Sequence, residues 1–189
     1  RKKTFLALPV TGETFADVRE KNRYYVDKTP YLKQVFSDDE AVDEKSLIDG
    51  TTVLLLTRPR RFGKTMLMNM FESFLNINYE KPGDTSIQDK FFKGTKILED
   101  QKFCKKYMGQ FPVISITLKD VLGDSYEDAY FQLAGIVADK VNEYGFLKDS
   151  PALNDDDKDT FSKLSNKDFL IKSSAQTRYY ITKAIASLS

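Results

Sequence analysis

The stretch "TRPRRFGKT" (residues 57–65) lies between the apolar run "VLLL" (53–56) and the segment "MLMNMFESFL" (66–75). The run before it has no polar alternation, which is typical of a strand buried on both faces of a parallel sheet. After it, apolar residues recur at the spacing of one helix face: Leu67, Met70, Phe71 and Phe74. A loop between a buried strand and an amphipathic helix that ends in Gly-Lys-Thr predicts a phosphate-binding loop.

The residue types in this loop suit a phosphate chain. Backbone N–H groups converge at a helix N-terminus, where the helix dipole also favours an anion. Gly63 would let the backbone approach closely, Lys64 would reach the β- and γ-phosphates, and the Thr65 hydroxyl would bind Mg²⁺. However, Arg58 stands where such loops normally have their first glycine, and Pro59 beside it holds Arg58 extended.

The composition excludes several kinds of chemistry. The 189-residue chain is 41% hydrophobic and 30% charged and has no apolar run long enough to cross a bilayer, which predicts a soluble globular protein. It has no histidine, so imidazole acid–base catalysis is excluded. Its one cysteine excludes internal disulfides and thiolate-cluster metal sites and fits a reducing, cytoplasmic location. The net charge of +1 gives no global electrostatic argument for binding nucleic acid or membranes.

Other segments complete an α/β pattern. Before the loop, "RYYV" (23–26) reads as a short aromatic strand, and Thr29 is expected to cap a helix that starts at Pro30. After it, 113–118 reads as a second buried strand, and a long helix is expected to begin with a capping box of Asp124 and Glu127. The fold class predicted is α/β, a P-loop NTPase-like core with a parallel sheet flanked by helices, incomplete at the C-terminus.

Four segments resemble the AAA-ATPase-like domain family of bacterial proteins in order and spacing. They are "FADVREKNRYYVDKT" (15–29), "LLLTRPRRFGKTMLMNMFESF" (54–74), "KFFKGTKI" (90–97) and "GQFPVISITLKDV" (109–121). That family carries Arg-Pro-Arg-Arg in place of the first glycine, so the loop resembles a variant Walker A motif. The resemblance implies ATP with Mg²⁺ as ligand and Thr65 as the residue that binds the metal. The nucleotide-binding residues would be Arg58, Arg60, Arg61, Phe62, Gly63, Lys64, Thr65 and Met66.

The resemblance also implies a larger protein. Members usually continue into an acidic Walker B strand, and many carry a C-terminal nuclease-like domain of the PD-(D/E)XK type. We therefore expect residues 1–189 to be the N-terminal part of a single AAA-ATPase-like domain, with a lead-in segment at 1–50 and the P-loop core at 51–189. We expect the full-length protein to be an ATPase and this part alone to hydrolyse ATP poorly or not at all.

Two other functions stay open at this point. The chain could be a protein-interaction module on a P-loop fold that binds no nucleotide, or it could bind nucleic acid through its arginine cluster. Tyr24 and Tyr25 either stack on adenine or fill an edge surface, while Asp27 and Lys28 either contact the nucleotide or its loop or form a local ion pair or cap. The acidic segment "DSPALNDDDKD" (149–159) is expected to be a solvated loop and not a calcium site.

Overall fold

The computed structural model describes residues 6–36, 55–57, 59, 62–119, 121–172 and 175–187. The chain divides into two compact units, Arg1–Val113 and Ile114–Ser189. None of the helices in the described residues is long and apolar enough to cross a membrane.

The secondary-structure elements described in the first unit are helices. They are α1 (Phe15–Glu20), α2 (Pro30–Val35), α3 (Lys64–Leu75), α4 (Ser86–Phe92), a 3₁₀ helix (Lys96–Glu99) and α5 (Gln101–Tyr107). A capping box begins α1, in which Thr14 accepts from the Asp17 N–H and the Asp17 carboxylate accepts from the Thr14 N–H. Pro30 occupies the first helical position of α2, as the sequence predicts.

An aromatic core holds these helices together. The helix face predicted for α3 is confirmed, because Leu67, Met70 and Phe74 are buried and Phe71 packs against the same core. The Phe74 ring meets Phe92 edge-on at 5.2 Å. The buried members of this core are Phe15, Leu32, Leu67, Met70, Phe74, Phe92, Ile97, Phe103, Cys104, Tyr107 and Met108.

The second unit is also helical. It contains α6 (Tyr126–Glu143), a 3₁₀ helix (Gly145–Asp149), α7 (Asp155–Ser165), α8 (Lys167–Leu170) and α9 (Ala175–Ser187). Its buried core residues are Tyr130, Ala134, Val137, Ala138, Leu164, Leu170 and Ile181.

Two sequence interpretations in the second unit are wrong. The long helix α6 is capped by Ser125 and Asp128, one residue beyond the predicted pair, because the Ser125 hydroxyl accepts from the Asp128 N–H. The acidic segment predicted to be a loop is outside helices only at 150–154, and from Asp155 it begins α7, where Asn154 and Asp157 form a capping box. Three aspartates in the first turn of α7 favour this, since negative charge at a helix N-terminus is stabilised by the helix dipole.

The predicted parallel sheet is a further error. The described residues contain no β-strand; their one pairing of strand type is an isolated parallel bridge between Asn76 and Phe111. The expected strand at 113–118 lies in non-helical chain, and Ile116 and Leu118 in it are 36% and 60% exposed. An apolar run shows only that a segment avoids water, whereas a strand also needs a neighbour that takes up its N–H and C=O groups.

The other two predicted strands are residues 23–26 and 53–56. Residues 23–26 also lie outside any strand, although the Tyr24 N–H donates to the Ala7 carbonyl at 2.8 Å. Residues 53 and 54 of the run before the loop lie outside the described residues, while Leu55 and Leu56 are in neither helix nor strand.

A buried threonine joins the start of α2 to the 3₁₀ helix at Lys96–Glu99. Thr29 is fully buried, and its hydroxyl donates to Asp27 Oδ1 at 2.7 Å and accepts from the Ile97 N–H at 3.2 Å. It makes no side-chain capping bond to α2, so the predicted cap is wrong. The hydroxyl serves a contact between segments that are distant in the sequence.

We expect Thr29→Val to lower the free energy of unfolding by roughly 1–3 kcal/mol, because the Ile97 N–H would remain buried without a hydrogen-bond acceptor. Urea unfolding followed by circular dichroism measures this change. Thr11→Val is a matched control, since Thr11 is exposed and has no hydrogen bond through its side chain in the described residues. Equal effects of the two substitutions would contradict the role given to the Thr29 hydroxyl.

Candidate functional site

The N-terminus of α3 begins at a glycine in an unusual conformation. Gly63 is its N-cap residue and has φ 72° and ψ 31°, a left-handed conformation that glycine adopts without a steric penalty. The N-cap makes no side-chain capping bond, and the first turn carries no acidic residue. The positive end of the helix dipole is therefore not offset by its own sequence, in contrast to α1 and α7.

The predicted site residues differ in how exposed they are, and some of them lie outside the described residues. Lys64 and Thr65 are exposed in the first turn of α3, and Phe62 is 63% exposed just before it. Met66 is partly buried and packs against the aromatic core, so its side chain has a packing role. The three arginines of the predicted set lie outside the described residues: Arg58, Arg60 and Arg61. Nucleotide contacts by all eight residues stay predictions.

The structure brings Lys28 to this helix end. Its Nζ donates to the Phe62 carbonyl at 3.4 Å. A Cβ atom placed on Gly63 would lie 2.8 Å from the same Nζ, so the ammonium group lies directly against the glycine. Sequence reasoning left the role of Lys28 open between the nucleotide, its loop and a local pair. The signal that points to it is the joint occurrence of "YYVDKT" and "RPRRFGKT" in one chain.

A carboxylate fixes the chain on both sides of Lys28. Asp27 Oδ1 accepts from the Thr29 N–H at 2.9 Å and from the Thr29 hydroxyl, and Asp27 Oδ2 accepts from the Lys96 N–H at 2.8 Å. Partial burial acts to raise the pKa of Asp27, but these hydrogen bonds together outweigh it and hold the pKa below the usual 3.8. We call Asp27, Thr29 and their partners at Lys96 and Ile97 the Asp27 clamp.

A tyrosine links the Asp27 clamp to α3. The Lys28 N–H donates to the Tyr25 hydroxyl at 3.2 Å, and that hydroxyl donates to Met70 Sδ at 3.3 Å. The Tyr25 ring also meets Phe15 edge-on at 5.3 Å. Tyr25 is thus part of the core, which favours the packing interpretation over adenine stacking, while Tyr24 is 51% exposed.

Within the described residues, no group of three or more acidic or cysteine side chains is placed to hold a metal ion. The acidic residues of 155–159 belong to α7, where the first of them cap and charge the helix start. A protein ligand for Mg²⁺ at the α3 N-terminus would be the Thr65 hydroxyl.

The structure thus brings Gly63, Lys64 and Thr65 together at the start of a helix, with Gly63 in a left-handed conformation. A family model described as "AAA-ATPase_like: Predicted AAA-ATPase" matches residues 9–183. The chain therefore belongs to the AAA-ATPase-like family, whose description supports nucleotide binding. Comparison with the curated proteins and with the solved structures found no match.

The left-handed conformation of Gly63 makes a stability prediction. We expect Gly63→Ala to lower the free energy of unfolding by about 1–2 kcal/mol, because a Cβ atom is strained at this φ. Gly94→Ala is the matched control, since Gly94 has φ 77° and open space around its Cα. Urea unfolding should give similar losses for both, because the flexible end of Lys28 can move away from the added methyl group. No loss in Gly63→Ala would contradict the left-handed start of α3.

The lowered pKa of Asp27 makes a pH prediction. The carboxylate stabilises the folded chain above its unfolded pKa near 3.8, and this stabilisation is lost as the pH falls through the lower folded value. We therefore expect Asp27→Asn to have a lower free energy of unfolding than the parent at pH 7. This difference in the free energy of unfolding should become smaller as the pH falls below 3.8. Urea unfolding from pH 7 to pH 3 measures this difference. Glu80→Gln is the control, because Glu80 is exposed. A difference that is constant over this range would contradict the role of the carboxylate.

Proposed function

We propose that the chain binds Mg-ATP at the N-terminus of α3, through a variant Walker A loop. The observation that carries this is the position of Gly63-Lys64-Thr65 at the start of a helix whose positive end has no acidic residue and no side-chain cap. Membership of a family of predicted ATPases supports the same ligand.

Each described residue has a role that follows from its position. Gly63 leaves room for phosphate oxygens against the backbone, and the N–H groups of the first turn of α3 are directed at them. Lys64 is exposed and would neutralise the charge of the β- and γ-phosphates, while the exposed Thr65 hydroxyl would bind the metal. When bound, Mg²⁺ would supply further positive charge to the phosphate chain. Arg58, Arg60 and Arg61 would strengthen the field around them.

The thermal shift with Mg-ATP tests this function. A ligand at about 100 times its dissociation constant stabilises the folded chain by about 2.7 kcal/mol, which raises Tm by several degrees. We expect this rise in the parent and its loss in Lys64→Ala. Lys105→Ala is the control, because Lys105 is an exposed lysine on α5 of the same unit. A rise that survives in Lys64→Ala would place the nucleotide elsewhere on the chain.

The same proteins test the two alternatives. Binding of a single-stranded oligonucleotide that is indifferent to Lys64→Ala and weakens steeply with salt would favour the arginine cluster as a nucleic-acid site. No thermal shift with ATP in the parent would favour a protein-interaction module. Weak hydrolysis by this chain, a bacterial origin and an attached nuclease-like domain stay predictions.

A further inference from the structure

Lys28 brings a positive charge to the N-terminal end of a helix. Its ammonium group is held against Gly63, at the positive end of the α3 dipole, and Lys64 adds a second positive charge in the first turn. Cations are stabilised at helix C-termini and anions at N-termini, so an anion bound near two lysines at this end would interact favourably with both charges and with the dipole.

The contacts of Lys28 leave its ammonium group able to bind a ligand. In the described residues, the side chain's hydrogen-bond acceptor is the Phe62 carbonyl at 3.4 Å, the long end of the range for such a bond. No carboxylate of the described residues forms an ion pair with it. An ammonium group carries three donors, so further donors are available for oxygen atoms of a ligand.

The surrounding structure holds Lys28 in this place. The Tyr25 hydroxyl accepts from its N–H, and the carboxylate of Asp27 and the buried Thr29 fix the residues on either side. The same Tyr25 hydroxyl contacts Met70 of α3, so the segment that carries Lys28 and the helix that carries Lys64 are packed as one unit. Fixing the main chain of a long side chain lowers the conformational entropy lost when that side chain binds.

We propose that Lys28 is a second phosphate-binding lysine, supplied from outside the Walker A loop, which contacts the phosphate chain of the nucleotide together with Lys64. This inference rests on the proposed function, since it concerns the same ligand. It makes the segment before α2 part of the binding site and predicts that affinity depends on the number of phosphates, because a second cation gains most from a highly charged chain.

Calorimetric titration with Mg-ATP tests the proposal. We expect Lys28→Met, which keeps the length of the side chain and removes its charge, to raise Kd about 10- to 100-fold, the effect of losing a charge-assisted hydrogen bond. Lys28→Arg should keep most of the affinity. Lys105→Met removes the same charge from the same unit and should leave Kd unchanged. Lys28→Gln repeats the test with a polar side chain, and Tm of each variant without ligand reports any loss of folding.

The outcomes separate this inference from the proposed function. If Lys64→Ala abolishes ATP binding and Lys28→Met and Lys28→Gln bind as the parent does, Lys28 has no contact with phosphate and the inference is wrong while the function stands. If the parent itself does not bind Mg-ATP, both are wrong. A second comparison uses AMP: a Lys28→Met effect that is equal for ATP and AMP would contradict contact with the longer phosphate chain, whereas a larger effect on ATP supports it.

Discussion

The carboxylate of Asp27 accepts hydrogen bonds from both donors of Thr29 and from the N–H of Lys96, and the first unit is organised around this contact. It joins the segment before α2 to the 3₁₀ helix at Lys96–Glu99, whose first residue follows Asp27 by 69 positions. With its hydroxyl engaged by Asp27 and the Ile97 N–H, Thr29 can be fully buried without an unsatisfied polar atom. Lys28 lies between Asp27 and Thr29, so the same contact decides where its ammonium group can reach.

Helix α3 has a buried side and an exposed start. Its apolar face is fastened by Met70 and Phe74, which pack among the aromatic rings of the core. Its C-terminal carbonyls are satisfied by chain that returns beside them, since the Gly109 N–H donates to the Phe74 carbonyl and the Phe111 N–H to that of Leu75. Its first turn at the N-terminus carries no acidic residue, and Lys64 and Thr65 there are exposed. Helix α3 is thus fixed along its apolar face, while the positive end of its dipole lies outside the core.

The candidate site therefore combines a local motif with a distant segment. Gly-Lys-Thr by itself describes a loop, but the position of Lys28 ties the segment 15–29 to that loop through Tyr25 and Met70. In a family of predicted ATPases, this gives a physical reason for "YYVDKT" and "RPRRFGKT" to occur in one chain. One positions a lysine and the other supplies the helix start.

The sequence alone was enough to predict features that depend on neighbouring residues. Helical spacing identified the buried face of α3, Pro30 marked the first turn of α2, and Gly63-Lys64-Thr65 marked the start of α3, while its phosphate-binding role stays a prediction. These succeed because helix faces and first turns depend on residues within a few positions of one another. The acidic start of α7 carried the same kind of local signal in Asn154 and Asp157, and it was misread as a loop.

Only the tertiary structure decided the rest. The sequence predicts a strand at 113–118 from its apolar character, but a strand exists only where a neighbouring strand takes up its backbone hydrogen bonds, and in the described residues no strand pairs with this segment. Likewise, nothing local shows that the Thr29 hydroxyl faces Ile97 or that Lys28 reaches Gly63. Both contacts join residues far apart in the chain. Their geometry depends on how the core packs, and the pattern of residue types along the sequence does not reveal that packing.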